Sequence, residues 1–305
     1  MASKHIIGID LGGTNLKIAL LDISCRIKHK FSLSTSLYTT KESLIEAIVE
    51  SVYSILAKNS VPIKNIKGLG LGLPGPIDHE KGMVHFFPNI PGWKEVNLRA
   101  ILEKRLKIPV FVDNDANVMA FAEYKLGAAR GAKNAVCLTL GTGVGAGLIL
   151  DGRLFRGSSY AAGEIGHMPL NSTGPECNCG GIACLETYVG NRRISLYANK
   201  LFKKEISLED VSALAYKGDK KAVAVWDHVG LCLGLALVQV VNLLNPDCIV
   251  IGGGVANAGS ILFDRVKETI FTRAMLVQAR TVNVRKAELG NDAGMIGAGL
   301  IVLNN

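Results

Sequence analysis

The apolar and polar positions of this chain change rhythm in a repeating way. Ile6, Ile7, Ile9 and Leu11 make a short apolar run that breaks at Gly12-Gly13, and a second run leads from Leu16 to Asp22. Two such runs around a small-residue turn predict a β-hairpin. The same pattern returns farther along, and Ile7–Asp22 (IGIDLGGTNLKIALLD) lies over Val136–Asp151 (VCLTLGTGVGAGLILD) without a gap. Each copy has an apolar strand, a polar residue (Asp10 or Thr139), Leu-Gly, a turn of small residues and a second apolar strand ending in Asp.

The segments after the two hairpins repeat as well. Leu44, Ile45, Ile48, Val49, Val52, Ile55 and Leu56 fall at helical spacing and predict a helix over Lys41–Lys58, with Thr39 and Glu42 as a capping box. A strand and glycine turn come next, over Ile66–Gly75. After the second hairpin, an apolar helix over about Val223–Leu244 leads to a strand and glycines at Cys248–Gly254. Two copies of hairpin, helix, strand and glycine turn predict two similar α/β domains facing each other across a cleft. A last helix, Ala293–Leu303, is expected to cross back onto the first domain.

Composition adds limits. Hydrophobic residues at 49% and charged residues at 20% are those of a globular enzyme and not of a disordered chain. The 34 glycines gather at Gly68–Gly75, Gly141–Gly147 and Gly252–Gly254, where the backbone either turns sharply or approaches a ligand. The net charge of +8 suits an anionic partner such as a nucleotide, or is simply a solvated basic surface, because Lys and Arg are spread along the chain. Functional-looking sequence begins at Ile6, which leaves no helix-turn-helix segment, so no nucleic-acid partner is expected. The uncharged run Val229–Pro246 nears membrane-spanning length but contains Gln239, Asn242 and Asn245, and reads as a buried helix. No signal peptide is visible, so a cytoplasmic protein without a membrane partner is expected. Seven cysteines, three of them within Cys177–Cys184, point to metal binding before disulfides. Cys25, Cys137, Cys232 and Cys248 read instead as buried reduced thiols.

Tight hairpins of small residues expose backbone N–H groups, a ready nest for phosphate oxygens. Gly12-Gly13 is not part of a Walker A loop, because no G-x-x-x-x-G-K-[ST] string occurs. The arrangement resembles the actin-like ATPase superfamily. That resemblance implies an α/β fold of two actin-like (ribonuclease H-like) domains flanking a cleft. Residues 1–116 would form a smaller first domain, with helix 293–305 packed back on it, and residues 117–292 a larger second one. It also implies ATP and phosphate contacts at Asp10, Gly12, Gly13, Thr14 and Lys17, at Gly141, Thr142 and Gly143, and at Gly253 and Gly254. Asp10 would hold the Mg²⁺ of the nucleotide, through water, as suits an ion that dehydrates reluctantly.

Two stretches narrow the resemblance. In PVFVDNDANVMAFAEYKLG, an apolar strand stops at Asp113-Asn114-Asp115, and a helix ends near Gly127. Asp113 or Asp115 could cap that helix, but the strand end is also where open α/β sheets place ligands. In GEIGHMPLNSTGPECNCGGIACLE, His167 precedes Cys177, Cys179 and Cys184, three thiols and an imidazole that make a closed tetrahedral set. Together these stretches resemble the ROK sugar kinases (repressor, open reading frame, kinase), glucokinases among them. The resemblance implies Asp115 as catalytic base and sugar hydroxyls held by Asn114, Asp115, Glu164, His167 and Glu186. It also implies a structural Zn²⁺ on His167, Cys177, Cys179 and Cys184. His167 would serve both, one ring nitrogen for each. Asn89, in PNIPGW, is a further hydroxyl ligand or a turn residue beside two prolines.

The expected activity is ATP-dependent phosphorylation of a hexose, glucose to glucose 6-phosphate, by a homodimer or homotetramer. An N-acetylglucosamine or N-acetylmannosamine kinase and a fructokinase are alternatives within the class. A sugar-sensing regulator of the same family is the non-enzymatic one.

Overall fold

In the computed structural model, residues 5–87 and 92–304 are described. The first hairpin forms as β1 (His5–Leu11) and β2 (Asn15–Asp22), antiparallel with Leu11 opposite Leu16. Strand β3 (Ile27–Ser34) pairs with β2 and carries mostly polar positions, none of them buried, as an edge strand should. Helix α1 (Lys41–Lys58) buries the whole predicted apolar stripe. Its capping box lies one residue later than expected. Thr40 is the extended residue at the cap, so its hydroxyl accepts from Ser43 N, and Glu42 falls in the first turn. The glycine strand forms as β4 (Ile66–Leu73). It is followed by β5 (Ile77–Asp78), β6 (Met83–Phe86), β7 (Lys94–Asn97), α2 (Leu98–Leu106), β8 (Val110–Asn114) and α3 (Asp115–Leu126). Gly127 ends α3, as the sequence suggested.

The second copy starts with β9 (Ala135–Leu140) and β10 (Val144–Leu150), followed by β11 (Arg153–Phe155). Here Leu140 faces Val144, so three residues close the turn, whereas four residue positions separate the paired strands' ends less tightly in the first hairpin, where Leu11 faces Leu16. The gapless overlay of the two repeats therefore slips by one position beyond the turn. Lys17, opposite Asp10, corresponds to Gly145, opposite Thr139. The two hairpins share a backbone plan and differ in chemistry, with a charged pair in the first and an uncharged one in the second.

Helices α4 (Glu186–Val189), α5 (Asn191–Phe202), α6 (Leu208–Tyr216) and α7 (Lys220–Leu244) precede β12 (Cys248–Gly252). Then come α8 (Ser260–Arg273), α9 (Leu276–Thr281), β13 (Asn283–Lys286) and α10 (Ala293–Leu303). Helix α7 is long and apolar enough to cross a membrane by length and composition. It lies instead against α5, α6 and α8, burying Val225, Trp226, Val229, Leu233, Leu237 and Val241.

The strand order is β3-β2-β1-β4-β8 in one sheet and β11-β10-β9-β12-β13 in the other. In each, the first strand of the hairpin runs parallel to the strand that follows the helix, β1 with β4 and β9 with β12. The repeat seen in the sequence is thus a repeat of topology. A small antiparallel sheet, β5-β6-β7, is added to the first copy. The first unit runs through Gly127 and takes in Leu154–Ala162 and the stretch from Asn291. The second comprises Ala128–Arg153 and Gly163–Gly290. The division falls after α3, not at 116/117, because α3 packs on β4 and α10, and the two units are of nearly equal length.

Within the first unit, α10 lies directly on the backbone of β1 and β4. A side-chain carbon on Gly8 would run into the Met295 carbonyl, one on Gly70 into the Ala298 carbonyl, and one on Gly297 into the Val118 carbonyl of α3. Glycine on both surfaces is what permits this approach. Gly70→Ala therefore overpacks a seam of backbone against backbone, which cannot yield as a side chain can. A loss of stability of about 3 kcal/mol is expected, at the upper end of overpacking costs, and urea denaturation of the variant measures it.

Candidate functional site

In the first unit, β1 carries Asp10 near its end, and the carboxylate lies 3.3 Å from Lys17 Nζ across the hairpin. The first turn of α10 passes behind it, and a side-chain carbon at Gly294 would fall 2.5 Å from Asp10 Cγ. The turn closes with Gly12 N donating to Asn15 O at 2.9 Å and leaves Gly13 and Thr14 exposed at its tip. It is braced from outside by Thr35, which donates its N–H to Thr14 O and its hydroxyl to Gly13 O, each at 2.9 Å. An exposed small-residue tip on a fixed base, with one carboxylate and one ammonium beneath, can meet a metal-bound polyphosphate.

The tripeptide at the end of β8 divides its work. Asn114, and neither aspartate, is the N-cap of α3: its Oδ1 accepts from Ala116 N at 2.9 Å and Asn117 N at 3.2 Å. Its Nδ2 donates to Gly75 O at 3.1 Å, so one amide hydrogen remains for any ligand. Asp113 is buried and paired with Arg156, a residue that sequence reasoning missed. Asp115, half-buried, opens α3 as its first residue. Asn89 lies outside the described residues.

In the second unit, the turn Gly141–Gly143 closes through Gly141 N to Gly143 O at 2.9 Å. Two further segments meet it. The N-terminus of α5 comes in with Asn191 N donating to Gly141 O at 2.8 Å. Gly253 holds φ +82, and a side-chain carbon there would run into the Leu140 backbone, a conformation and a closeness that both require glycine. Asn191 Nδ2 lies 3.7 Å from where a side-chain carbon on Gly254 would be. The structure thus brings together the two glycine sites expected from the sequence and adds Asn191. The signal for it, a glycine before an amphipathic stretch at Gly190-Asn191, is too common to single out.

Glu164 and His167 flank a short helical turn, Ile165–His167, pressed onto β10, where side-chain carbons at Gly163 or Gly166 would meet the Ala146 and Val144 carbonyls. His167 turns its Nδ1 to Cys177 Sγ at 3.6 Å and its Nε2 to Glu164 Oε2 at 3.8 Å. Glu186, at the start of α4, accepts Val144 N on Oε2 at 2.9 Å and leaves no room for a side chain on Gly143. It therefore stands directly behind the turn at Gly141–Gly143.

The ligand atoms of His167, Cys177, Cys179 and Cys184 all lie within 4.8 Å of one another, with Cys179 and Cys184 sulfurs 3.7 Å apart. Tetrahedral zinc with Zn–S bonds of about 2.3 Å needs sulfurs ~3.8 Å apart, so the set has the right size for such an ion. Backbone bridges Pro169–Cys184 and Glu176–Ile182 hold the loop. The Gly181 N–H lowers the Cys179 thiol, while burial pushes that of Cys184 up to about 12. The other four cysteines are buried, and burial pushes Cys25 and Cys232 up to about 11.

Comparison with known proteins agrees over the whole length. The glucokinase of Halalkalibacterium halodurans is 36% identical, with 99% of this chain and 96% of that one covered. The glucokinase of Thermotoga maritima is 33% identical over 99% and 98%. A xylose repressor of Caldicellulosiruptor bescii is 29% identical over 98% of this chain but 78% of its own. Among solved structures, a ROK glucokinase from Streptomyces griseus in complex with glucose and AMPPNP superposes with a TM-score of 0.85. It is 29% identical and covers 99% of this chain and 100% of that one. The model of the ROK family matches residues 6–305, and the chain belongs to that family.

Proposed function

We infer that this protein is an ATP-dependent hexose kinase with glucose as its acceptor. The observation that carries the reading is the coexistence, in a chain matched end to end by glucokinases, of two topologically equivalent phosphate-type hairpins with an aspartate opening the helix after β8.

In this reading Asn114, Glu164, His167 and Glu186 hold the ring hydroxyls, and the acceptor hydroxyl passes its proton to Asp115 as its oxygen bonds to the γ-phosphorus and ADP leaves. Phosphoryl transfer asks mainly for positioning and charge neutralisation. Backbone N–H groups of the two turns and the Lys17 ammonium supply these to the phosphate oxygens. Asp10, partly exposed and already beside Lys17, suits a hydrated Mg²⁺ carried by the nucleotide better than a directly ligated ion. When bound, Mg²⁺ supplies charge neutralisation for the β- and γ-phosphates.

A zinc ion on His167, Cys177, Cys179 and Cys184 uses all four positions and so acts structurally. Its effect reaches the sugar through His167, whose metal-held ring offers the opposite nitrogen to a hydroxyl beside Glu164. Reduced thiols and dependence on ATP suit the cytoplasm. A relative named as a xylose repressor also matches nearly the whole chain, and turnover separates a kinase from a regulator.

Asp115→Asn is expected to leave the fold intact and lower kcat by ~10²–10⁴, the usual worth of a general base; a folded variant with near-normal turnover removes Asp115 from that role. Elemental analysis of protein purified without chelator should find one zinc per chain, and Cys179→Ser should lower both thermal stability and sugar affinity. Against a sugar panel, kcat/KM with MgATP should be highest for glucose. Buried polar groups left unpaired by a poorly matched sugar reject it by up to ~10⁴–10⁵. An N-acetylhexosamine or fructose performing as well as glucose reassigns the acceptor, and no turnover with any hexose favours the sensor.

A further inference from the structure

The motif that carries Asp115 has a support that the phosphate hairpins do not explain. The Asp113 side chain is 2% exposed and its carboxylate takes four donors. Oδ1 accepts from Asn114 N at 2.8 Å and Asn117 Nδ2 at 3.1 Å. Oδ2 accepts from Arg156 Nε at 2.9 Å and Nη2 at 2.6 Å. A carboxylate so enclosed is not available as a base, and it is stable where it lies only because it is paired and hydrogen-bonded.

The donors on Oδ1 bracket Asp115, one just before it and one two residues after. Asn114 Oδ1 adds its own bonds to Ala116 N and Asn117 N. The backbone before Asp115 and the Asn117 side chain after it are thereby tied to the Asp113 carboxylate, and the position of that carboxylate is set by the guanidinium. Arg156 is itself held in place. It belongs to Leu154–Ala162, which folds with the first unit although the second unit flanks it in sequence. The segment closes on itself through Ala162 N to Arg156 O at 3.0 Å. Tyr160, at φ +59, sets its ring edge-on to His79 with centroids 5.1 Å apart. A non-glycine residue in that conformation is uncommon and is retained where surrounding contacts require it.

We propose that Arg156 is a positioning residue for phosphoryl transfer: through Asp113 it fixes Asn114 and Asn117, and with them the carboxylate of Asp115. The proposal rests on Asp115 being the base, as inferred above. Lysine at position 156 keeps the charge but cannot place two parallel N–H groups on one oxygen.

Steady-state kinetics and thermal melting of full-length Arg156→Lys and Arg156→Ala test this. Arg156→Lys should stay folded and lose about 10²-fold in kcat, the scale of a small misplacement of a reacting group. Its KM for MgATP should stay within about twofold, because the phosphate turns are untouched. Added guanidinium should restore part of the kcat of Arg156→Ala, whereas a defect of folding would worsen in the same salt. In an Asp115→Asn background, Arg156→Lys should cost little more, as expected of residues acting as a unit. A folded Arg156→Lys enzyme within about threefold of the original kcat overturns the proposal. So does a full additional loss in a slow Asp115→Asn background, which leaves the base assignment standing. Normal turnover by Asp115→Asn itself overturns both.

Discussion

The close seat of α10 on β1 and β4 is the constraint on which the first unit's chemistry depends. Helices ordinarily ride on sheets through side chains, at a distance that lets small shifts be absorbed. Here glycines at Gly8, Gly70 and Gly297 bring backbone to backbone, and interiors packed at that density transmit displacement instead of damping it. The same helix touches Asp10 with its first turn, through Gly294, and α3 with its middle, through Gly297. The Asp10 carboxylate and the helix that Asp115 opens are therefore referenced to one rigid body.

The second unit solves a parallel problem with different means. Its phosphate-type turn is one residue tighter and carries no charged pair, and it is braced by Asn191 and by Glu186. Glu186 holds a backbone N–H of the turn's following strand with one oxygen, so a sugar hydroxyl bound to that carboxylate would be felt at the turn without an intervening side chain. Two copies of one topology have thus diverged into a hairpin with a charged pair at its base and a neutral, backbone-based one.

Much of this was legible in the residue pattern, because the features concerned are local. The helix at Lys41–Lys58 follows from short-range periodicity, and the duplicated hairpin from direct overlay of two strings. The His/Cys set was visible because its members lie close in sequence and few other chemistries use that combination. The features hidden from the pattern depend on distance or on single atoms. Arg156 meets Asp113 across 43 positions, with no periodicity to mark it. Asn114 displaced both aspartates as the helix cap because it is the last extended residue before the helix begins at Asp115, and all three residues are of types that make good caps. The shortened second turn escaped because small residues on both sides let the strings align equally well with or without a gap.

The placement of α10 also bears on how the chain acquires its structure during synthesis. The helix that completes the first unit is translated only after all of the second, since Asn291 follows Gly290. Until then the glycine-lined face of β1 and β4 has no cover, and a sheet face without cover invites the wrong partner. The order of emergence at the ribosome is thus reversed in maturation: the domain that begins first finishes last, and its Asp10 is set in place only after the second domain is complete.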